Sequence, residues 1–168
     1  HRLGEFHKFR KRIDFENWIV YYGLHVRLEL GGRKMDRILC RENGFFDDMG
    51  RQRIFHGVNL VYKAKGIGPW DQTDYRYLAS QGYNIVRFGL LWASIEPEPW
   101  RYNDKYLDWV RFQMDLCAQY GLYVVLDMHQ DLFSQAYGDG APEWATLSKG
   151  EDYSPTDPWS EAYLTSRA

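Results

Sequence analysis

Little in this chain points to a membrane, to nucleic acid or to a disulfide scaffold. No stretch approaches the ~20 consecutive apolar residues that cross a bilayer, so no transmembrane segment is expected. The formal net charge is only −2, which removes the broad electrostatic reason to expect nucleic acid as a partner. Only two cysteines occur, Cys40 and Cys117, and they stand in segments of different character, which argues against a disulfide framework. No short apolar run behind a basic start has the form of a signal peptide. The chain begins at His1 rather than Met, so a leader upstream of it, and secretion with it, stay open.

Several catalytic signatures are missing as well. The turn from Val61 to Gly68 lacks the G-x-G-x-x-G or G-K-[ST] spacing that cradles phosphates behind a first strand, which disfavours a nucleotide-binding sheet. No G-x-S-x-G elbow occurs, so serine chemistry of that kind is not expected. Asp127 and His129 are two apart on a strand and share a face, which is how a metal site can begin. Zinc needs three or four ligands, however, and His1, His7, His25 and His56 have no partner at ligand spacing. Neither a metal nor any other cofactor is expected.

What the chain has in plenty is aromatic residues: seven Trp, thirteen Tyr and nine Phe make 17% of it. Such rings fill cores or offer flat faces to sugars, and core filling accounts for most of them. With 168 residues, 45% of them hydrophobic, the chain is one domain or part of one. Residues 1–43 hold ten Lys/Arg against six Asp/Glu, and residues 44–168 hold eleven against seventeen. Within the basic N-terminal extension, Leu24, Val26, Leu28 and Leu30 alternate with polar residues, which predicts a half-buried strand stopped by Gly31-Gly32. Its basic residues read as solvated surface rather than a binding patch.

From Gly44 onward strands alternate with helices. Phe45 to Asp47 and Gln52 to Phe55 flank Asp48-Met49-Gly50, predicting a short hairpin that leads into a strand from Ile54 to Leu60. A helix from Thr73 to Ser80 is expected, capped by Thr73 or Asp71 and ended by Gly82. A strand from Asn84 to Leu91 follows, apolar on both faces as in a parallel sheet. Leu107, Val110, Met114 and Cys117 recur at helical spacing, with Asn103 or Asp104 able to cap the helix and Gly121 able to end it. Leu122 to Met128 makes a third buried strand, and a polar, Gly/Pro-punctuated loop follows with a helix starting near Pro158. Strands joined by helical crossovers imply an α/β fold. A barrel is preferred to an open sheet, with only three of its eight units visible.

In such folds functional groups stand at the carboxyl ends of strands. Strand one offers Asn59 and Lys63, strand two Arg87, then Trp92 and Glu96, and strand three Asp127, His129, Gln130 and Asp131. The coincidence of Arg87 with Asp127 and His129 at one rim favours a site over a structural ion pair. These types suit sugars, whose dense hydroxyls pair with carboxylates, imidazole and ammonium while aromatic faces cover C–H surfaces. Trp92, Trp70 and Trp144 are candidates for that cover.

The stretches Ile54-Phe55-His56-Gly57-Val58-Asn59, Asn84-Ile85-Val86-Arg87-Phe88, Leu91-Trp92 through Ile95-Glu96-Pro97, Asp127-Met128-His129-Gln130-Asp131 and Gly140-Ala141-Pro142-Glu143-Trp144-Ala145 together resemble glycoside hydrolase family 5. This is a TIM-barrel family that includes cellulases, and the chain looks most like its endoglycoceramidase-related branch. The resemblance covers about residues 44–159 and implies a partial TIM barrel, the first three βα units preceded by a short β-hairpin, within 44–168. It implies that Arg87 helps orient the nucleophilic carboxylate and that His129 bonds a hydroxyl of the sugar at the cleavage point. Asp127 and Lys63 would contact sugar hydroxyls, with Lys65 as the alternative to Lys63, and Gln130 and Trp92 complete the expected substrate-binding set. The catalytic glutamates of the family follow strands four and seven, so none is expected in this chain; Glu96 and Glu98 read as a structural turn and Glu143 as a loop residue. The expected function is therefore part of a retaining glycosidase acting on a carbohydrate or glycolipid, with a non-catalytic sugar-binding module as the alternative. Secretion or a lysosomal location follows by family analogy alone.

Overall fold

The computed structural model describes residues 29–30, 33–41, 43–64, 66–151 and 153–165. The expected strand over residues 24–30 lies outside the described residues except at its end, where β1 (Glu29–Leu30) pairs antiparallel with β2 (Arg33–Lys34). The described residues form two compact units, one drawn from His1–Leu60, Pro69–Phe88 and Asp108–Leu126, the other from Val61–Gly68, Gly89–Leu107 and Asp127–Ala168.

In the first unit, β3 (Ile38–Arg41), β4 (Gly44–Asp47) and β5 (Gln52–Arg53) form an antiparallel meander. The expected hairpin is its second half. Gly50, at φ +79, closes the turn where Asp47 accepts from the amides of Met49 and Arg51 at 3.0 and 2.9 Å. Asp47 is fully buried, and the Arg51 Nε bond at 2.7 Å matches its charge. The strand β3 went unread because Ile38-Leu39-Cys40-Arg41 is too short to show a period of two.

The strand expected from Ile54 is shorter, with β6 running Gly57–Val61. Ile54 is 80% exposed, and the backbone just before β6 is held by a side chain rather than a ladder. Asn84 donates from Nδ2 to the Ile54 carbonyl at 2.8 Å and accepts from the His56 amide at 2.9 Å. Gly57 then starts the strand because a Cβ there would lie 1.7 Å from the Ile85 carbonyl oxygen.

Helix α1 (Gln72–Ser80) starts at a capping box in which Asp71 bonds the helix backbone and Asp74 bonds back to the Asp71 amide, choosing Asp71 over Thr73 as the cap. β7 (Ile85–Leu90) and β8 (Tyr123–Met128) complete a three-stranded sheet ordered β6-β7-β8. In the first unit the strand starts meet, Asn84 N to His56 O at 3.1 Å and Tyr123 N to Asn84 O at 2.9 Å. In the second unit the strand ends meet, with His129 N bonding Leu90 O at 2.8 Å. Starts beside starts and ends beside ends make β7 and β8 parallel.

The short helix α2 (Trp92–Ile95) follows β7, and α3 (Asp104–Gln119) begins where Asn103 Oδ1 accepts from the Tyr106 amide at 3.2 Å. The expected stripe faces inward: Val110, Met114 and Cys117 are buried in the first unit beside Tyr75, Val86, Phe88 and Leu122. Each such apolar side chain stabilises the fold by about 1.5–3 kcal/mol. Burial pushes the Cys117 thiol up, so it stays protonated, while Cys40 is exposed on β3. Trp70 stacks on Trp109 at 6.2 Å and meets Phe88 edge-on at 5.5 Å. The chain closes with 3-10 turns at Glu143–Ala145 and Trp159–Glu161 and with α4 (Ala162–Thr165), in keeping with the helix expected near Pro158. Among the described residues no helix is long and apolar enough to cross a membrane.

Candidate functional site

The end of β8 delivers its side chains alternately, as a strand must. Met128 is exposed, while Asp127 and His129 share the other face with His129 Nδ1 3.4 Å from Asp127 Oδ2. The chain then leaves the sheet, and Asp131 brings its carboxyl to the opposite edge of the imidazole, Oδ2 3.5 Å from His129 Nε2. That approach is close enough for attraction to a protonated ring but is not aligned as a hydrogen bond, and Nε2 is buried with no hydrogen-bond partner. Lys63, two residues past β6, bonds Asp131 Oδ2 through Nζ. Lys63, Asp131, His129 and Asp127 thus form one continuous array within the second unit.

Charge in the array is mutually supporting. The Asp131 hydrogen bond is the largest cause raising Lys63 above the ordinary ammonium value, and the charge of Asp139 adds to it. For Asp131 the largest influence is burial, which alone would raise it. The bond and charge of Lys63, helped by His129, outweigh burial and hold it below the usual carboxylate range. Lys63 also lies over the Trp159 ring at 5.5 Å.

The loop behind the array is tightly folded. Asp131 and Asp139 exchange backbone bonds at 3.2 and 3.0 Å. The side chain of Asp139, buried, accepts from the Asp131 amide at 2.7 Å. Leu132 and Phe133 sit at φ 58 and 65, conformations that cost non-glycine residues about 1–2 kcal/mol each. Gly140, at φ +125, lets the returning strand approach Gln130, whose Cβ would be 2.6 Å from a Cβ at that position.

Lys63, Asp127 and His129 are brought together. Lys65, the alternative to Lys63, lies outside the described residues. Gln130 is exposed beside this array. Trp92 is half-buried, meets Trp144 edge-on at 5.5 Å and donates its indole N–H to Glu96 Oε2 at 2.9 Å. Glu96 is itself buried and accepts from the Trp100 amide at 2.8 Å through its other oxygen, which fits a structural turn. Arg87 lies half-buried in β7, in the first unit. Asp131, expected at the end of the third strand but not in the substrate-binding set, joins the array. Asp139 was missed, and its signal was the pair of flanking glycines.

His129, Asp131 and Asp139 each offer an atom within 4.8 Å of the others. They do not fit a metal well: Lys63 already supplies a cation to Asp131 Oδ2, and Asp139 Oδ1 is occupied by the Asp131 amide. The array is suited instead to exchanging hydrogen bonds with a ligand dense in hydroxyls.

A family model described as cellulase, glycosyl hydrolase family 5, matches residues 47–166. The endoglycoceramidase of Cyanea nozakii is 34% identical over 119 residues, covering 65% of this chain and 24% of that protein. Endo-glycoceramidase II from Rhodococcus sp., as its lactosyl-enzyme intermediate, superposes with a TM-score of 0.65 at 37% identity, over 71% of this chain and 30% of that one. In a ganglioside complex the same enzyme gives a TM-score of 0.65 at 35% identity, over 73% and 31%. The chain spans about a quarter of the length of the endoglycoceramidases it matches.

Proposed function

Because the chain belongs to glycosyl hydrolase family 5, an α/β TIM-barrel family, we propose that it carries the first three strand–helix units of a retaining glycosidase that hydrolyses O-glycosyl bonds of glycosphingolipids or related glycosides. The observation that carries this reading is the Lys63–Asp131–His129–Asp127 array at the carboxyl ends of β6 and β8, where barrel enzymes place their sites. An ammonium, two carboxylates and an imidazole supply donors and acceptors in alternation, which is what adjacent sugar hydroxyls require. His129, whose side chain is 14% exposed between Asp127 and Asp131, is the imidazole that a sugar hydroxyl would meet, as donor or acceptor.

Retaining hydrolysis needs two carboxyl groups about 5 Å apart, one to protonate the leaving oxygen and one to attack the anomeric carbon. In this reading both are glutamates supplied after strands four and seven, beyond the residues of this chain. Arg87 orients the attacking carboxylate, Gln130 and Trp92 border the sugar, and the array fixes the glycan so that its anomeric carbon meets the nucleophile. Positioning of this kind lowers the barrier by removing orientational freedom before the reaction begins. Support for a glycolipid comes from the relatives, named endoglycoceramidases, one of them in a ganglioside complex.

The test offers a fluorescent glycosphingolipid and a cellulose-type glycan side by side to the full-length protein. Release of sugar from the glycolipid with retained anomeric configuration, followed by NMR, is the expected result. Hydrolysis of neither substrate overturns the proposal, and preference for the cellulose-type glycan overturns its substrate assignment.

A further inference from the structure

We infer that Asp139 is a positioning residue of the sugar site, acting through Asp131. The inference rests on the glycosidase reading above. Asp131 is the hinge of the array, since its Oδ2 meets both Lys63 Nζ and His129 Nε2. Yet it stands at the start of a loop whose next two residues, Leu132 and Phe133, are held at positive φ, so its place is not set by the sheet.

Three features fix it, and all converge on Asp139. The Asp139 side chain accepts from the Asp131 amide at 2.7 Å, and the two backbones bond each other in both directions. Asp139 is 4% exposed, so water cannot readily replace its carboxyl as acceptor. The glycines on either side admit the close approach: a Cβ at Gly138 would lie 2.4 Å from the Asp131 carbonyl oxygen, and one at Gly140 would lie 2.6 Å from Gln130 Cβ. The Asp139 charge also adds to the upward shift of Lys63. A buried carboxyl between two glycines, bonded to the amide of the residue that carries the array, is an orienting device for that residue. It touches no substrate itself.

An Asn at 139 keeps the side-chain acceptor oxygen and loses the charge, whereas Ala loses both and leaves the Asp131 amide only its longer bond, 3.2 Å, to the carbonyl of residue 139. In the full-length protein acting on a fluorescent glycosphingolipid, D139N is expected to stay within about threefold of wild type. D139A should raise KM about tenfold with kcat changed less than threefold, because a misplaced Asp131 weakens sugar binding. In a D131A background the additional loss from D139A should shrink to less than twofold, since the residue it positions is gone. D139S, whose hydroxyl is too short to reach the amide, replaces D139A if the latter does not fold. The inference is overturned if D139N is as impaired as D139A, if the loss falls on kcat alone, if the two losses multiply in the double variant, or if neither D139A nor D139S folds, which would make Asp139 a structural residue of the loop. A wild-type protein that cleaves no glycoside overturns the underlying reading instead, and the two failures are told apart by that control.

Discussion

Replacing Gly57 by Ala tests the register of β6 against β7, on which the placement of Lys63 depends. An added Cβ would lie 1.7 Å from the Ile85 carbonyl oxygen and 2.8 Å from its Cγ2. Real Cβ atoms do not come within 3.0 Å, so the backbones must part by roughly 1.3 Å or more. Separation on that scale breaks the Asn84 N–His56 O bond at 3.1 Å and the His56 N–Asn84 Oδ1 bond at 2.9 Å. Steric overpacking costs about 1–3 kcal/mol, and the two hydrogen bonds add about 1 kcal/mol each. The expected loss is about 3–5 kcal/mol. G50A is the control, because Gly50 has φ +79 but nothing within 4 Å of its Cβ position, so only backbone strain of about 1–2 kcal/mol is lost. Urea unfolding of the full-length variants, with midpoints and slopes compared, reads the difference. A G57A variant no less stable than G50A would refute the register.

In K63A the Asp131 carboxyl loses the ammonium that outweighs its burial and should titrate upward, a shift seen in the NMR titration of its carboxyl carbon. The sign follows from both partners. Depressed Asp131 contributes above its ordinary value and loses that contribution as pH falls through its lowered one, while raised Lys63 contributes below its ordinary value and loses it as pH rises through its raised one. Sugar affinity should therefore be insensitive to this pair from about pH 5 to 9. Because Lys63 is about half exposed, K63A should cost less than about 1 kcal/mol in stability while lowering kcat/KM roughly tenfold or more. E96Q places an amide where both Glu96 oxygens accept N–H groups. It should cost about 1–3 kcal/mol in unfolding experiments with kcat within threefold of wild type, and a kcat loss of a thousandfold would instead make Glu96 catalytic. M114A, at a position 2% exposed, should lose about 2–5 kcal/mol by chemical denaturation.

The regular part of this chain was legible because its signals are redundant. The helix over Asp104–Gln119 has an apolar stripe, an Asn cap and a terminating glycine, and all three agree with the structure. The start of β6 was misplaced because Ile54-Phe55-His56 looks like strand, and only the side chain of Asn84, far along the sequence, decides otherwise. The same distinction holds in the site. Asp127 and His129 are two apart on one strand and could be paired by alternation alone. Asp131 and Asp139 lie in a loop whose course depends on positive-φ residues and glycine approaches that no periodicity encodes.

The central claim, that the Lys63–Asp131–His129–Asp127 array binds the glycan of a glycolipid, is tested most directly by isothermal titration of the full-length protein with a free oligosaccharide of glycosphingolipid type. The reading predicts binding to wild type that weakens about tenfold or more in D131A and in K63A, with no comparable change in a variant outside the array such as R111A. Equal affinity of wild type and D131A for that oligosaccharide would contradict it.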